Sequence, residues 1–211
     1  MTRGLLLSFY RVAFALLALA AIVVQLVDLA GKGTLDVVNY FSYFTIETNL
    51  IGVAAFFLAR DFRERRPHWV DLVRGASTVY LLITFLVFAV LLSGTDVDTA
   101  IPWVDFVLHK IFPIAVLVDW LIDPPARLIT PRQAATWLLY PVIWVAYALI
   151  RGALTGRYPY PFLDPANGGY GTVALYIVGV LVLAILLIVG VIAVGRWLGR
   201  NRSADVASGT T

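Results

Sequence analysis

An uncharged apolar stretch near the end of the chain, residues 170–195, reads YGTVALYIVGVLVLAILLIVGVIAVG. It is longer than the ~20 mostly apolar residues that a helix needs to cross a bilayer. The rest of the chain agrees with it, since 61% of the 211 residues are hydrophobic, 14% are charged and the mean hydropathy is +0.87. Soluble domains average ~45–50% apolar and ~25% charged residues. The sequence therefore predicts an all-α integral membrane protein.

Six segments of the sequence, including this stretch, are long and apolar enough to be predicted as membrane spans. Together they form a single predicted transmembrane domain, residues 1–202. The small polar tail, residues 203–211, is expected to be disordered. The six predicted spans are Leu7–Asp28, Tyr40–Ala59, Val73–Ser93, Trp103–Ile122, Ala134–Ile150 and Tyr170–Gly195.

The loops between the predicted spans carry an uneven distribution of basic residues. Eleven lie on the side that holds both termini and three lie on the other side. Because cytoplasmic loops carry the excess of Lys and Arg, the sequence predicts that both termini are cytoplasmic. The eleven are Arg3, Arg60, Arg63, Arg65, Arg66, Arg74, Arg127, Arg132, Arg196, Arg200 and Arg202, and the three are Lys32, Arg151 and Arg157.

Composition also excludes several kinds of site. The chain has no cysteine, so disulfides, thiolate metal sites and thiol nucleophiles are excluded. The pI near 9.3 comes from arginines between apolar runs, so no nucleic-acid partner is expected. Walker, Rossmann and zinc-ligand patterns are missing, and neither a metal nor a cofactor is predicted. A haem with two histidine ligands would need a second histidine within a span, whereas only His109 lies in one.

Two polar clusters interrupt the second and fourth predicted spans. The second span contains Thr45-Ile-Glu-Thr-Asn49, and the fourth contains Asp105, His109 and Lys110. Ionisable groups at membrane depth are costly, and they mark candidate functional sites. Both spans are predicted to run in the same direction. At ~1.5 Å per residue, Thr45 and His109 lie ~8 and ~9 Å from the start of their spans, so the clusters are predicted to share one level.

The spacing within each cluster favours a catalytic arrangement. Thr45, Thr48 and Asn49 lie at i, i+3 and i+4, on one helix face, and Asp105 and His109 lie at i and i+4. A hydroxyl, an imidazole base and a carboxylate that orients the base form a nucleophile–base–orienter set. We therefore predict Thr45 or Thr48 as nucleophile, His109 as base and Asp105 as orienter, with Asn49 or Thr48 donating to the oxyanion. The same hydroxyl and amide groups also commonly join helices, so a structural role stays open.

Other polar residues are predicted to have structural roles. Glu47 and Lys110 point away from the catalytic face and are expected to form an ion pair with each other. Arg11 is expected to extend to the headgroups, and Asp119 and Asp123 need no special role.

The loop Tyr158-Pro-Tyr-Pro-Phe-Leu-Asp-Pro165 is too apolar for an ordinary solvent loop. Two prolines between aromatic residues stiffen it. The loop is expected to be either a lid over an outer-leaflet cavity, with Tyr160, Phe162 and Asp164 at the cavity, or a re-entrant turn at the interface.

Taken together, Phe44-Thr-Ile-Glu-Thr-Asn-Leu50, His109-Lys-Ile-Phe-Pro113 and Tyr158-Pro-Tyr-Pro-Phe-Leu-Asp164 resemble the androgen-induced-gene membrane protein family, which includes the androgen-dependent TFPI-regulating protein. The chain looks most like the bacterial Pr6Pr branch, over nearly its whole length. Eukaryotic members are multipass hydrolases of fatty acid esters of hydroxy fatty acids that use an intramembrane threonine and histidine. The resemblance implies Thr45 as nucleophile, His109 as base, a lipophilic ester as substrate, membrane lipids as partners and a bacterial plasma-membrane location.

Two other classes of function stay open on the sequence. A transporter or proton-coupled carrier would use Glu47, His109 and Lys110 as a relay. It would need polar residues to continue across the membrane, whereas the fourth span is apolar between Lys110 and Asp119. A non-catalytic scaffold or sensor would leave Thr45 unreactive toward probes for nucleophilic hydroxyls. The oligomeric state is not indicated.

Overall fold

The computed structural model describes residues 3–62, 66–92 and 101–207, with side chains through residue 199. Within these ranges all regular secondary structure is helical. The α-helices are α1 (Arg3–Gly31), α2 (Val37–Phe41), α3 (Phe44–Asp61), α4 (His68–Val87), α5 (Pro102–Phe106), α6 (Phe112–Ile122), α7 (Pro131–Ala135), α8 (Leu139–Thr155) and α9 (Gly169–Ala207). Wider π-helical turns follow α4 at Phe88–Leu92 and join α5 to α6 at Val107–Ile111, and 3₁₀ turns lie at Thr136–Leu138, Pro161–Leu163 and Pro165–Asn167.

Four continuous helices in the described residues are long and apolar enough to cross a membrane, which confirms the predicted membrane-protein class. They correspond to the first, third, fifth and sixth predicted spans. The remaining two predicted spans correspond to α3 and to the continuous helix 102–122, each of which carries three charged residues. These two helices carry the polar clusters. The four apolar helices are Arg3–Gly31, His68–Leu92, Pro131–Thr155 and Gly169–Gly199.

The second predicted span differs from the structure at its start. A break at Ser42 and Tyr43 separates α2 from α3, because Tyr43 has an extended backbone with φ −76° and ψ 127°. Helix α3 therefore begins at Phe44, and Thr45 lies in its first turn. The first four N–H groups of a helix have no intrahelical acceptor, so the break leaves the N–H of Thr45 available to another partner.

The end of α9 also differs from the predicted boundary. The helix continues to Ala207, five residues into the stretch for which the sequence predicts disorder. Neither proline nor glycine interrupts residues 200–207, so no residue in this stretch forces the helix to stop. Residues 208–211 of the predicted tail lie outside the described residues.

Helix packing is closest between α3 and α4, between α1 and α3, and between α4 and both α6 and α9. Helix α8 instead reaches the bundle through long aromatic side chains. The Trp144 indole donates to the carbonyl of Ser42 at 3.2 Å, and the Tyr147 hydroxyl lies 2.7 Å from the Ser42 hydroxyl. The Tyr140 hydroxyl donates to Glu47 at 2.6 Å. Space therefore remains beside α8.

A buried ion cluster joins several helices at one end of the bundle. We call this end, which contains Arg3, Ile122 and Arg196, the terminal end, and the end containing Lys32 and Asp36 the opposite end. Three arginines and three aspartates balance each other in the cluster. Its members are Arg11, Arg66, Arg74, Asp71, Asp119 and Asp123.

The predicted role of Arg11 is wrong. Its side chain is 2% exposed, and it donates to Asp119 at 2.7 Å and to Asp123 instead of extending to the headgroups. The prediction that Asp119 and Asp123 have no special role is also wrong. Burial alone would raise the pKa of the Asp123 carboxyl, but Arg74 and Arg66 hold that pKa well below its usual range. A charge this deep is better satisfied by carboxylates from other helices than by distant water.

Candidate functional site

The structure brings Thr45 of α3 and His109 of the π-helical turn into contact. Thr45 Oγ1 lies 3.2 Å from His109 Nε2, and each residue is 7% exposed. The two polar clusters therefore meet at one level of the bundle, as the sequence predicts. The separation lies at the upper end of the ~2.6–3.2 Å range within which a base abstracts a proton directly.

Asp105 faces the other nitrogen of the His109 ring. Nδ1 lies 2.8 Å from a carboxylate oxygen of Asp105 and 3.1 Å from the backbone carbonyl oxygen of the same residue. Both neighbours are acceptors, so we infer that a neutral ring carries its proton on Nδ1. Nε2 then presents its lone pair to the hydroxyl of Thr45.

The π-helical turn has a cause in the sequence. In a regular α-helix the carbonyl of Leu108 would accept from the N–H of Phe112, but that N–H donates to the carbonyl of Val107. Pro113 has no N–H to replace it. The free carbonyl of Leu108 accepts instead from Asn49 Nδ2 at 3.2 Å. The turn is thus anchored to α3 directly beside His109.

Asn49 and Thr48 support the backbone of Thr45. Asn49 Nδ2 also donates to the Thr45 carbonyl at 2.7 Å, so both of its amide hydrogens are used. The Asn49 amide thus holds the backbone at Thr45 and Leu108, and its predicted role as an oxyanion donor stays a prediction. Thr48 Oγ1 lies 3.0 Å from Thr84 Oγ1 and donates to the Thr45 carbonyl at 3.3 Å, and its predicted oxyanion role also stays a prediction. Of the two candidate threonines, Thr45 is the one that contacts the His109 imidazole among the described residues.

The predicted ion pair between Glu47 and Lys110 is not formed. Glu47 accepts from Tyr140, as described above, and the ammonium of Lys110 lies 5.9 and 5.4 Å from the ring centroids of Phe88 and Phe106. Each of the two side chains instead contacts aromatic residues. Phe88 also stacks on the imidazole of His109, with ring centroids 4.1 Å apart and planes at 17°.

Tyr160, predicted only as part of a lid, contacts Thr45 directly. Its hydroxyl lies 3.2 Å from Thr45 Oγ1 and accepts from the backbone N–H of Thr45 at 3.2 Å. Tyr160 is 6% exposed, and burial raises the pKa of its hydroxyl to about 12. The hydroxyl therefore stays protonated at neutral pH and can donate a hydrogen bond at this site.

The other two predicted lid residues, Phe162 and Asp164, have different positions. Phe162 stacks on Tyr160 with a centroid distance of 5.3 Å and an angle of 5°, and it lines a cavity. Asp164 does not line either of the two cavities described below. Its carboxylate accepts from the backbone N–H of Ala166 at 2.9 Å, because a short aspartate side chain readily caps the 3₁₀ turn that follows it.

Two cavities meet at Thr45 and Tyr160. The polar cavity, of about 330 Å³, extends past His109 and Asp105 toward Lys32 and Asp36 at the opposite end. The apolar cavity, of about 270 Å³, lies between α8 and α9. Its lining includes Phe162, Val142, Val145, Ile177, Val180 and Leu181.

The site combines the Thr45 hydroxyl, the His109 imidazole with Nε2 toward that hydroxyl, the Asp105 carboxylate beside Nδ1, and the Tyr160 hydroxyl. This set suits nucleophilic attack on a carbonyl carbon with general-base assistance. The sequence missed two contributors, Phe88 and the direct contact of Tyr160. For Tyr160 the signal was the rigid Pro159-Tyr-Pro161 unit, which predicts a fixed loop but not its target.

Comparisons of the chain with models of known protein families, with curated proteins and with solved structures found no match. We therefore base the functional inference on the geometry of Thr45, His109 and Tyr160.

Proposed function

We propose that this protein is an intramembrane threonine hydrolase of lipophilic esters. One observation carries the proposal: the Thr45 hydroxyl contacts Nε2 of the His109 ring where a polar and an apolar cavity meet. An amphipathic ester with its carbonyl at Thr45 would have one cavity for each of its two arms. The resemblance to the androgen-induced-gene family supports the same activity.

Acylation begins when Thr45 Oγ1 attacks the ester carbonyl carbon and its proton moves to His109 Nε2. The Asp105 carboxylate stabilises the imidazolium that results, because it lies 2.8 Å from Nδ1. The tetrahedral intermediate then expels the alcohol as its C–O bond breaks, and His109 Nε2 returns the proton to that oxygen. The products of this step are an acyl-threonine and a free alcohol.

Two donors are placed for the oxyanion. The Tyr160 hydroxyl accepts from the backbone N–H of Thr45 beside the nucleophile, and a substrate carbonyl oxygen that displaces this hydrogen bond can accept from both groups. The N–H belongs to the first turn of α3, where the helix dipole also favours negative charge.

Deacylation uses the same residues, with water as the nucleophile and Thr45 Oγ1 as the leaving group. Water reaches the acyl-threonine through the polar cavity, and His109 Nε2 removes its proton as the oxygen attacks the acyl carbon. The proton then passes to Thr45 Oγ1 as the ester bond to the enzyme breaks. The fatty acid leaves and the hydroxyl is restored.

The apolar cavity supports a substrate that stays partly in the bilayer. Val142 of α8 and Leu181 of α9, which line it, are 52% and 39% exposed on the outer surface of the bundle. The cavity is therefore bordered by side chains suited to lipid contact. Helix α8 is held by aromatic side chains rather than by close backbone packing, so an acyl chain has room to enter from the side.

A carrier function is less well supported. Between Thr45 and the ion cluster lies a layer of large buried side chains, in which Phe56, Leu81 and Phe112 are at most 1% exposed. A Cβ atom added at Gly52 would lie 2.7 Å from Leu81 and 2.8 Å from Phe112, so the layer is tightly packed. A proton or solute path would have to cross this layer, and the hydrolase needs no such path.

We further propose six membrane passes with both termini in the cytoplasm of a bacterial cell. Helix α3 and helix 102–122, of 18 and 21 residues, measure ~27 and ~32 Å at ~1.5 Å per residue, close to the ~30 Å hydrocarbon core. The chain has no cysteine, so a single cysteine can be labelled without background. In intact cells, an impermeant thiol reagent is expected to label Lys32→Cys and to spare Arg132→Cys until the cells are permeabilised. The reverse pattern contradicts the orientation.

The proposed activity predicts that Thr45 reacts with a lipophilic fluorophosphonate, which modifies activated hydroxyl nucleophiles. We expect one adduct per chain, located at Thr45 by mass spectrometry of the full-length protein in detergent. His109→Ala is expected to prevent labelling because the hydroxyl loses its base, and Thr48→Ala is expected to leave it intact. An adduct at Thr48, or equal labelling of the His109 variant, would contradict the assignment.

Tyr160→Phe removes one oxyanion donor and keeps the ring that packs on Phe162. We expect kcat to fall by a factor on the order of 10²–10³, as for other single oxyanion donors, with a smaller change in KM. Phe162→Leu is a useful comparison, since it changes the cavity wall and leaves both donors in place. Steady-state kinetics on one chromogenic ester measure both variants. A kcat for Tyr160→Phe equal to that of the wild type excludes the donor role.

A further inference from the structure

The far wall of the polar cavity contains a glutamine whose side-chain oxygen has no hydrogen-bond partner among the described residues. Gln25 of α1 is 8% exposed and lines the cavity, and its Oε1 atom is enclosed without a hydrogen-bond partner. An unpaired buried polar atom is costly, so one in a cavity wall is satisfied either by water or by a ligand group that displaces the water. A side-chain amide both donates and accepts, and a hydroxyl group matches both functions.

The cations beside this cavity already have partners, including Arg151, which donates to the side-chain oxygen of Asn39 and to the backbone carbonyl of Arg157. Lys32 pairs with Asp28 at 2.7 Å, and Arg157 pairs with Asp36 at 3.1 Å. The backbone N–H of Asn39 and the Arg157 guanidinium hold the pKa of the Asp36 carboxyl below its usual range, so that pair is ionised at neutral pH. Among the described lining residues, every cation thus has a carboxylate partner. A substrate carboxylate here would face the acidic groups of Asp36 and Asp105.

We propose that the substrate is a neutral ester of a polyol, of the acylglycerol class, whose free hydroxyl bonds to Gln25 in the polar cavity. This inference rests on the hydrolase function proposed above and names its substrate class. The acyl chain occupies the apolar cavity, the scissile carbonyl lies at Thr45 between the two cavities, and the glycerol arm extends past His109 toward Gln25. The reaction consumes one water and releases a fatty acid and glycerol.

The apolar cavity sets the expected chain length. Its volume of about 270 Å³ accommodates an acyl chain of limited length. A medium-length chain therefore fills it, and a longer chain continues between α8 and α9 into the bilayer.

The test compares three decanoyl esters on the full-length protein in nanodiscs. The alcohol is glycerol in one ester, nitrophenol in the second and a hydroxy fatty acid with a free carboxylate in the third. We expect kcat/KM for monodecanoylglycerol to exceed that for the carboxylate-bearing ester at least about 10-fold. Gln25→Leu is expected to lower the ratio of glycerol-ester to nitrophenyl-ester kcat/KM about 10-fold, through the lost hydrogen bond. Gln133→Leu makes the same change outside the cavity and should keep the wild-type ratio.

The outcomes separate the two proposals. If hydrolysis of the nitrophenyl ester depends on Thr45 but the carboxylate-bearing ester is preferred, the substrate class is wrong and the hydrolase stands. An unchanged ratio in a folded Gln25→Leu protein also overturns the substrate class. If that variant does not fold, the wild-type ranking of the three esters decides. Absence of Thr45-dependent hydrolysis of all three esters overturns both proposals.

Discussion

Replacing Thr45 with alanine is expected to lower kcat/KM for a chromogenic decanoyl ester by a factor on the order of 10³–10⁴. The same loss is expected for His109→Ala, because a threonine hydroxyl is a weak nucleophile without its base. The double variant should be no worse than either single variant, since residues that act as one unit have non-additive effects. Stopped assays of the purified protein, with chemical hydrolysis subtracted, measure all three variants.

Thr48→Ala provides the matched control, because it removes a hydroxyl from the next turn of the same helix. Its contacts are with Thr84 and with the carbonyl of Thr45, so we expect less than about a 10-fold loss of activity. Thr45→Ser retains the hydroxyl and is expected to retain measurable activity. A larger loss for Thr48→Ala than for Thr45→Ala would reassign the nucleophile.

The second large effect concerns stability. Arg74 is 2% exposed, and its guanidinium donates to Asp119 at 2.6 Å and to Asp71 at 3.1 Å. Arg74→Met keeps most of the side-chain volume and leaves two buried carboxylates with one cation fewer. We expect the free energy of unfolding to fall by about 3–5 kcal/mol, as when one partner of a buried ion pair is removed. Tryptophan fluorescence during unfolding in mixed detergent micelles measures the change.

The control for this loss is Arg60→Met at the same end of the bundle. Arg60 is about half exposed and lies 3.8 Å from Asp61, so its removal is expected to cost less than about 1 kcal/mol. Combining Arg74→Met with Asp119→Leu restores the charge balance, and the double variant should be more stable than the sum of the single losses predicts. Equal losses for Arg74→Met and Arg60→Met would show that the cluster contributes little.

Much of the architecture was predictable because hydrophobic length and charge are local properties of the chain. Apolar runs predicted the helices, and the ~1.5 Å rise placed Thr45 and His109 at matching depths. Helical spacing placed Asp105 one turn from His109, and the two side chains are in contact. The helix break at Ser42 and Tyr43 was not predicted, because both residues are compatible with an apolar helix.

The choice between Thr45 and Thr48 was not available from the sequence. Both lie on one helix face, and a rotation of α3 by part of a turn would exchange their neighbours. The π-helical turn and the contacts of Asn49 fix that rotation, and they join residues 59 or more positions apart. Tyr160 is 115 residues from Thr45 along the chain, so no local pattern indicates their contact.

The amino-acid sequence alone indicates a helical membrane protein, which of its predicted spans carry polar groups and at what depth those groups are expected. Each of these follows from the free energy of placing a side chain in hydrocarbon, which depends on the residue and its neighbours along one helix. The tertiary structure shows which hydroxyl contacts the imidazole. It also shows that Arg11 turns inward to Asp119. Those outcomes depend on the rotation and packing of separate helices, where partners distant along the chain compete for the same group.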